Sequence, residues 1–472
     1  MHNNKLLKIL STFSEEDLRR FKKMLQSPFF TTNKNLLALF KYLHRYYPDF
    51  SSPKLMKIYV FRKLFPKQEY SDIKLRNLFS EMTRLAEDYL IHQELKNKSI
   101  DRKKILMDIY GQKQLLPLFN READKIQQEL GLSSFDDMLV YETRYQTNLK
   151  KLDRLPSKAL LDRFQLLLTT SNHLEYYYQL SKAKINAELE SFRGILSTQQ
   201  TTLIEDGGKV DWTDHLLFQL YEKITKLYQT SDLRIFNSVK KKLITQVDQI
   251  RPSLQIELLM HLINFTIRQM KKDDRKFNQL AFELYRFGLE KNILIQNGQL
   301  HDTAFLNIAV AGSKSNAFEW TQNFLEEYDS YVSEEVRKDV KTLAYANLLF
   351  HRKLFSKAID DLSQHSFIHP LYLISSRIHA LRCYYELYLQ DSSYHELLIS
   401  QGQAFEKFVR RSKVYNDSFS KACLNFVSML SKMANWRLGK KMTKAQQQII
   451  FQKLEEQEHT ISRSWLLEKI KE

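Results

Sequence analysis

Glycine and proline are scarce in this chain, which has 10 Gly and 8 Pro among its 472 residues. Together they make up about 4 % of the sequence, whereas ordinary proteins use roughly 12 %. Strand-rich folds and phosphate-binding loops need glycine at their tight turns, and helix interiors disfavour both residues. The scarcity therefore predicts an all-α protein in which short connections join many helices.

Cysteine is almost absent, and no apolar run approaches the ~20 residues that a membrane-spanning helix requires. The two cysteines, Cys383 and Cys423, both lie in helical sequence patterns, so we expect two buried thiols and no disulfide. The first apolar run stops after Leu10, and acidic residues follow it, which is not the pattern of a secretory signal. We therefore expect a cytoplasmic protein.

Motifs for catalysis or cofactor binding are also missing. No phosphate loop, dinucleotide fingerprint or nucleophile elbow occurs in the sequence. Three pairs of potential metal ligands lie at one-turn spacing, but none has the third ligand that a zinc site needs. These pairs are His365 with His369, His379 with Cys383, and Glu257 with His261. We therefore expect no catalytic, cofactor-binding or metal-binding residues, and a protein that is not an enzyme.

The distribution of proline and glycine divides the chain into three regions. Residues 1–98 hold half of the prolines between amphipathic stretches, which predicts an N-terminal module of four helices. Residues 99–205 form a middle region with longer helical patterns. A polar stretch at 197–214 marks the predicted main boundary, and a helical-repeat domain is predicted over 206–472.

Two stretches carry clear local signals. Ser14 precedes an amphipathic run and is followed three residues later by Asp17, an arrangement that predicts a helix start with both residues capping it. No Gly or Pro lies between Pro156 and Gly194. That interval allows either one long helix or a tight helical hairpin near Thr169.

Positive charge is in excess and unevenly distributed. The formal net charge is +17, and residues 1–100 hold 19 Lys and Arg against 10 Asp and Glu. A basic surface attracts acidic proteins, nucleic acids or anionic lipids, and it also keeps a protein soluble without any partner. Short basic clusters recur along the chain, among them Arg102-Lys103-Lys104, Lys240-Lys241-Lys242 and Arg410-Arg411. Acidic residues lie near each cluster, so solvated helix faces explain most of them.

An internal repeat is visible in the last third of the chain. Ala346 on one predicted helix is followed by Phe355, Ala358 and Leu362 on a second helix and then by Pro370. The same residue classes occur 37 residues earlier, and a third set follows with different spacing. The earlier set is Ala309, Phe318, Thr321 and Leu325, and the later set is Ala380, Tyr394, Leu397 and Leu398. A small residue that lets two helices approach, with an aromatic residue filling the groove, predicts stacked helix pairs.

This pattern resembles the tetratricopeptide-repeat family. Ala346, the aromatic-x-x-Ala of Phe355 and Ala358, and Pro370 match the family's small, aromatic, alanine and proline positions. The family's glycine after the first helix is replaced by Lys353. The resemblance covers residues 302–400, and weaker pairs extend it towards 214 and 460. It implies a right-handed superhelix of antiparallel helix pairs, an α-solenoid, behind the N-terminal bundle.

In such repeats the first helix of each pair lines the concave face, which commonly binds peptides. Asn347 and His351 lie one turn apart beside the packed positions of one first helix, and Arg377 and Tyr384 lie two turns apart on the next. We expect these four side chains to contact a protein or peptide partner through hydrogen bonds or a bound carboxylate. The alternative is that they are ordinary surface residues and that the partner binds elsewhere, for example on the basic first 100 residues.

The sequence therefore favours a non-enzymatic scaffold that binds a protein or peptide through its helical repeats. The alternative from a different class is a basic helical protein that contacts nucleic acid or a nucleoprotein. An enzyme with a buried site is the least favoured interpretation.

Overall fold

The computed structural model describes residues 4–156, 159–193, 215–270, 274–412, 414–437, 442–456 and 460–471. Helix accounts for 81 % of these residues and strand for 1 %, which confirms the all-α prediction. Consecutive helices pack mainly against their neighbours in the chain, as in a solenoid-like fold. The predicted boundary segment, 197–214, lies outside the described residues.

The described residues form 22 α-helices and one short β-hairpin. Up to residue 193 the helices are α1 (Lys5–Ser11), α2 (Glu15–Gln26), α3 (Lys34–Leu43), α4 (Lys57–Leu64), α5 (Asp72–Asn97), α6 (Ser99–Gln112), α7 (Leu116–Leu132), α8 (Met138–Leu152) and α9 (Leu160–Arg193). After residue 214 they are α10 (Leu216–Thr230), α11 (Leu233–Gln246), α12 (Pro252–Gln269), α13 (Asp274–Glu290), α14 (Asp302–Lys314), α15 (Phe318–Glu327), α16 (Glu334–His351), α17 (Phe355–Gln364), α18 (Pro370–Gln390), α19 (His395–Arg411), α20 (Asp417–Arg437), α21 (Lys444–Glu456) and α22 (Arg463–Lys471). The strands are β1 (Ile295–Gln296) and β2 (Gln299–Leu300), which pair antiparallel.

Two compact units divide the chain. The first contains Met1–Ser134 and Val140–Leu174, and the second contains Phe135–Leu139 and Glu175–Glu472. The division falls within α9, which is one continuous helix of 34 residues without a hairpin. Of the two conformations that the sequence allowed for this stretch, the single long helix is therefore the one observed.

The described part of residues 1–98 contains five helices, α1–α5. Its four predicted helices correspond to α2–α5, and the short helix α1 precedes them with Asn4 as its N-cap. At the start of α2 the Ser14 hydroxyl accepts the Asp17 N–H, and the Asp17 carboxylate accepts the Ser14 N–H at 3.0 Å. The helices enclose an aromatic centre in which the ring of Phe21 lies 5.6 Å from that of Phe40.

In the second unit, helices stack in chain order, with α12 against α13, α14 against α16, α16 against α17, and α17 against α18. The short hairpin joins α13 to α14. Its two turn residues, Asn297 and Gly298, have φ values of 53° and 74°. Asn and Gly are the residues that tolerate positive φ in tight hairpin turns. The hairpin thus reverses the chain within a few residues between two packed helices.

The repeat layer predicted around Ala346 is confirmed. All four side chains of this layer are buried, namely Ala346, Phe355, Ala358 and Leu362. The two helices that carry them, α16 and α17, are in direct contact. In the preceding set, Ala309, Thr321 and Leu325 are fully buried, whereas Phe318 is half-buried. The third set departs further. Its Leu398 is buried, but Leu397 is 41 % exposed and Tyr394 lies in a 3-10 turn before α19.

The ends of the first helices show a second feature that repeats after 37 residues. Asn316 follows α14 with φ 57°, and Lys353 follows α16 with φ 61°. In each case the next N–H bonds a carbonyl five residues back, Ala317 to Gly312 at 3.0 Å and Leu354 to Leu349 at 2.9 Å. Lys353 therefore adopts the left-handed conformation that glycine usually takes at a helix C-terminus.

Pro370 has a different role from the predicted one. The sequence pattern indicated a proline that terminates the second helix of the pair, but α17 already ends at Gln364 and Pro370 is the first residue of α18. Proline is favoured at the first helical position because its missing N–H would have no intrahelical partner there.

Candidate functional site

Two of the four predicted partner-binding residues, Asn347 and His351, face the packed side of α16. Asn347 is 9 % exposed, and no described residue donates a hydrogen bond to its Oδ1. His351 is half-buried, with its ring 5.5 Å from that of Phe350. Burial, together with the charge of Arg382 on α18, lowers the pKa of His351 to about 3. Binding of a partner by these two residues stays a prediction.

The other two predicted residues, Arg377 and Tyr384, both lie on α18 but have different environments. Arg377 is exposed, and its guanidinium lies 4.2 Å from the ring centre of Phe408 on α19. This is a cation–π contact that holds the side chain against the neighbouring helix. Tyr384 is half-buried, and burial raises the pKa of its phenol. The structure thus places Arg377 towards α19, whereas Asn347 and His351 lie near the α16–α18 contact.

A buried polar cluster occupies that contact. The His379 ring hydrogen-bonds the backbone of Ala346, while its Nε2 has no hydrogen-bond partner among the described residues. Burial, together with the charge of the nearby Arg382, lowers the pKa of His379 to about 3. The Arg382 guanidinium lies 4.4 Å from the Phe350 ring and 5.3 Å from the Trp465 ring. Its charge is therefore held between two aromatic faces.

The same cluster fastens the last helix, α22, to α18. Glu386 is buried, and its Oε1 accepts the Trp465 indole N–H at 3.0 Å. Lys469, which is also buried, forms an ion pair with Glu386 at 3.0 Å. A buried carboxylate with both a hydrogen-bond donor and a cation as partners avoids the desolvation penalty of an unpaired charge. The network is therefore a specific link between two helices far apart in the sequence.

The thiol and the two imidazole rings near this contact are uncharged at neutral pH. Cys383 is fully buried, and burial raises the pKa of its thiol to about 12, so the thiolate that acts as nucleophile or metal ligand is not populated at neutral pH. His351 and His379 are uncharged at neutral pH for the same reason. Within the described ranges, no group of three or more His, Cys, Asp or Glu side chains is placed to hold a metal ion.

The first unit carries an open groove of about 470 Å³ along α5. Its floor is apolar and is formed by the buried side chains of Leu75 and Phe79. Its rim is basic and carries four exposed cationic side chains from three helices. The basic groove, as we call it, is lined by Asn4, Lys5, Lys57, Leu75, Arg76, Phe79, Ser80, Thr83, Arg84 and Glu87.

Three ion pairs order part of this rim. Asp72 accepts from Lys57 and from Arg76, each at 2.8 Å, and the hydrogen bond from Lys57 lowers the pKa of that carboxyl. Lys5 on α1 pairs with Glu87 on α5. Arg84 is exposed and pairs with no acidic residue of the described chain. The rim therefore keeps a net positive charge and one unpaired guanidinium.

Sequence reasoning missed this groove, although a signal for it exists. Arg76, Ser80, Thr83, Arg84 and Glu87 recur at three- and four-residue spacing on α5 and form one polar stripe beside its apolar face. The excess of positive charge in the first 100 residues pointed to the same region. The position of α1 and α4 beside the stripe could not be read from that pattern.

A second groove, of about 430 Å³, lies between α16 and α17. Its rim mixes both charges, because Lys341 pairs with Asp329 at 2.6 Å and the Tyr345 hydroxyl donates to Glu326 at 3.2 Å. None of the four predicted partner-binding residues lines it. The lining residues are Lys338, Lys341, Thr342, Tyr345, Asp361, Gln364 and His365.

Comparison with protein-family models, with curated proteins and with solved structures finds no match to this chain. No helix within the described ranges is both long enough and apolar enough to cross a membrane.

Proposed function

We propose that this chain is a non-enzymatic interaction scaffold whose first unit binds an acidic segment of a partner protein in the basic groove. The observation that carries this proposal is the combination of four cationic side chains with an apolar floor in one groove of about 470 Å³. Cationic rims steer acidic partners and set the register of binding, while an apolar floor supplies the contact area that retains them.

Arg84 is the residue that we expect to contribute most to recognition. Its guanidinium has no described acidic partner, so it can form a two-pronged hydrogen-bonded pair with a carboxylate of the bound segment. Leu75 and Phe79 lie one turn apart in the floor of the groove and would contact an apolar side chain of that segment. The fitting ligand is thus a short peptide that combines Asp or Glu with an apolar anchor.

A protein ligand fits this groove better than a nucleic acid does. The apolar side chains of Leu75 and Phe79 in the floor match an apolar side chain of a peptide and have no counterpart in a phosphate backbone. Nucleic-acid binding, the alternative function from a different class, remains an outcome of the experiment below.

We also infer that the helix pairs of the second unit are tetratricopeptide-like and carry the scaffold. The buried layer around Ala346 and the left-handed residues Asn316 and Lys353 support this inference, because both recur after 37 residues. Two free, buried cysteines are consistent with a reducing compartment, and we place the scaffold in the cytoplasm.

The partner class is tested with three labelled probes and the full chain, by fluorescence anisotropy at two salt concentrations. The probes are an amphipathic peptide of Glu, Leu and Phe, its Lys-for-Glu counterpart, and a single-stranded RNA oligonucleotide. We expect the acidic peptide to bind at least about tenfold more tightly than the other two. Tighter binding of the RNA, with a steep loss of affinity at the higher salt concentration, would support the nucleic-acid function instead.

A further inference from the structure

The long helix α9 (Leu160–Arg193) exposes an unusually apolar face. Its 34 residues give it a length of about 51 Å. One side is buried, through Leu180, Ala183 and Ala187 among others, whereas the opposite side presents large apolar side chains to solvent. Leu161 is 72 % exposed, and Phe164 is 57 % exposed. The exposed apolar residues of α9 are Leu160, Leu161, Phe164, Leu167, Leu168, Leu174, Tyr178, Ile185, Leu189 and Phe192.

These residues follow a heptad pattern. Ten positions alternate at spacings of three and four residues, which is the repeat that lets two helices pack side by side as a coiled coil. The first three and the last three positions are apolar, and the middle four are mostly polar. In order they are Leu161, Phe164, Leu168, Ser171, Glu175, Tyr178, Lys182, Ile185, Leu189 and Phe192. We call this row the α9 stripe.

The α9 stripe is complementary to itself when it is reversed. If a second copy is laid antiparallel with its Tyr178 opposite Glu175, then Leu168 lies opposite Ile185 of the other copy. In the same register the outer apolar positions also face apolar positions, Phe164 opposite Leu189 and Leu161 opposite Phe192. A parallel alignment pairs the apolar positions equally well. It also places Glu175 against Glu175 and Lys182 against Lys182, and repulsion between these like charges disfavours it.

The polar centre of the α9 stripe favours the same register. Glu175 would face the phenol of Tyr178 of the other copy, and Lys182 would face Ser171, one turn from the other copy's Glu175. Within one chain the Glu175 carboxylate accepts from Gln179 at 2.8 Å, and the Lys182 ammonium lies 5.4 Å from the Tyr178 ring centre. Glu175 and Lys182 are half-buried and Tyr178 is 48 % exposed. Polar layers of this kind specify register and orientation in helix pairs.

We propose that two copies of this chain associate through antiparallel pairing of their α9 stripes. Three apolar layers at each end, flanking a polar centre, give an extended interface of the kind that specific dimers use. Because α9 is already folded along its whole length, association does not have to order the helix first. The pairing is independent of the basic groove, so either proposal can fail without the other.

Sedimentation equilibrium of the full chain tests the pairing. We expect a dimer for the unmodified protein and an affinity lower by about tenfold or more for Leu168→Lys, because that variant places a charge opposite Ile185 of the other copy. Ile267→Lys on α12, at a position that is 42 % exposed, is the matched control and should leave the dimer intact. Circular dichroism verifies that each variant is folded. A monomeric unmodified protein, as expected if another protein's helix covers the stripe, would overturn the proposal.

A second substitution tests the orientation. Adding Ile185→Glu to Leu168→Lys places opposite charges face to face only in the antiparallel register, since positions 168 and 185 are too far apart to pair within one chain. The double variant should therefore dimerise about tenfold more tightly than Leu168→Lys alone. No recovery in the double variant, or a dimer that Leu168→Lys leaves unchanged, contradicts the proposed interface.

Discussion

Arg251, the N-cap residue of α12, forms an ion pair with the buried carboxylate of Asp137, with Nε and Oδ2 2.5 Å apart. The same guanidinium lies 4.8 Å from the ring centre of Phe135. Both partners belong to the short segment Phe135–Leu139, which is the part of the second unit that precedes α9 in the chain. Arg251 thus contacts this segment through both an ion pair and a ring contact.

The two partners of this pair should differ in their effect on stability. Arg251→Ala leaves the carboxylate of Asp137 buried without its cation, and we expect a loss of about 2–4 kcal/mol in the free energy of unfolding. Asp137→Ala should cost less, about 1 kcal/mol, because the partly exposed Arg251 can turn to water. Urea denaturation of both variants measures the difference. Equal losses would contradict this explanation, because they would show that the buried carboxylate of Asp137 is not destabilised by losing its cation.

A close approach between two helices supports a second prediction. A Cβ on Gly312 of α14 would overlap the hydroxyl oxygen of Thr321 on α15 and would lie 3.3 Å from the Phe282 ring. Gly312→Ala should therefore lower the free energy of unfolding by about 1–3 kcal/mol. Adding Thr321→Ala removes the overlapping oxygen and should recover part of that loss, whereas Thr321→Ser keeps the oxygen and should recover none. Recovery with serine as large as with alanine would contradict the steric explanation.

The buried histidines predict how stability depends on pH. His379 has a pKa of about 3 in the folded chain, whereas an unfolded histidine titrates near 6.5. The contribution of neutral, buried His379 to stability is therefore complete above pH 6.5. It is lost as the pH falls, because the unfolded chain binds a proton at this residue and the folded chain does not. The expected loss from this residue is about 2 kcal/mol between pH 7 and pH 5.

Urea denaturation at these two pH values measures the effect. His379→Gln should reduce the difference between pH 7 and pH 5 by about that amount, even if the variant is less stable at both. The control is Ser376→Ala on the same helix, because loss of a buried hydroxyl that does not titrate should leave the difference unchanged. A pH difference that is the same in all three proteins would show that His379 is not buried in its neutral form.

The local features of the fold were predictable from the sequence. The capping residues Ser14 and Asp17 marked the start of α2, and the alternation of small and aromatic residues identified the layer around Ala346. Both depend on neighbours within a turn or on a repeated pattern, so the residues themselves carry the information. The length of α9 was one of two possibilities that the absence of Gly and Pro allowed.

The environment of single side chains could not be predicted in the same way. Asn347 is buried on α16, and the spacing on that helix alone did not show which of its flanks the neighbouring helices cover. Lys5 and Arg84 share a groove because α1 folds back onto α5, which is a contact between distant parts of the sequence. The heptad of α9 is visible in the sequence, but only the structure shows that no described helix covers it.

The central claim, that the basic groove binds an acidic protein segment, is tested most directly by reversing its charge. In the variant Lys57→Glu/Arg84→Glu the groove loses two cations, whereas Lys22→Glu/Lys23→Glu makes the same change in net charge on exposed positions of α2, outside the groove. The measurement is the dissociation constant of the Glu, Leu and Phe peptide for each variant. We predict that the groove variant binds about tenfold or more weakly and that the α2 variant binds as the unmodified chain does. Equal weakening in both variants would mean that overall charge attracts the peptide, and would contradict a binding site in the basic groove.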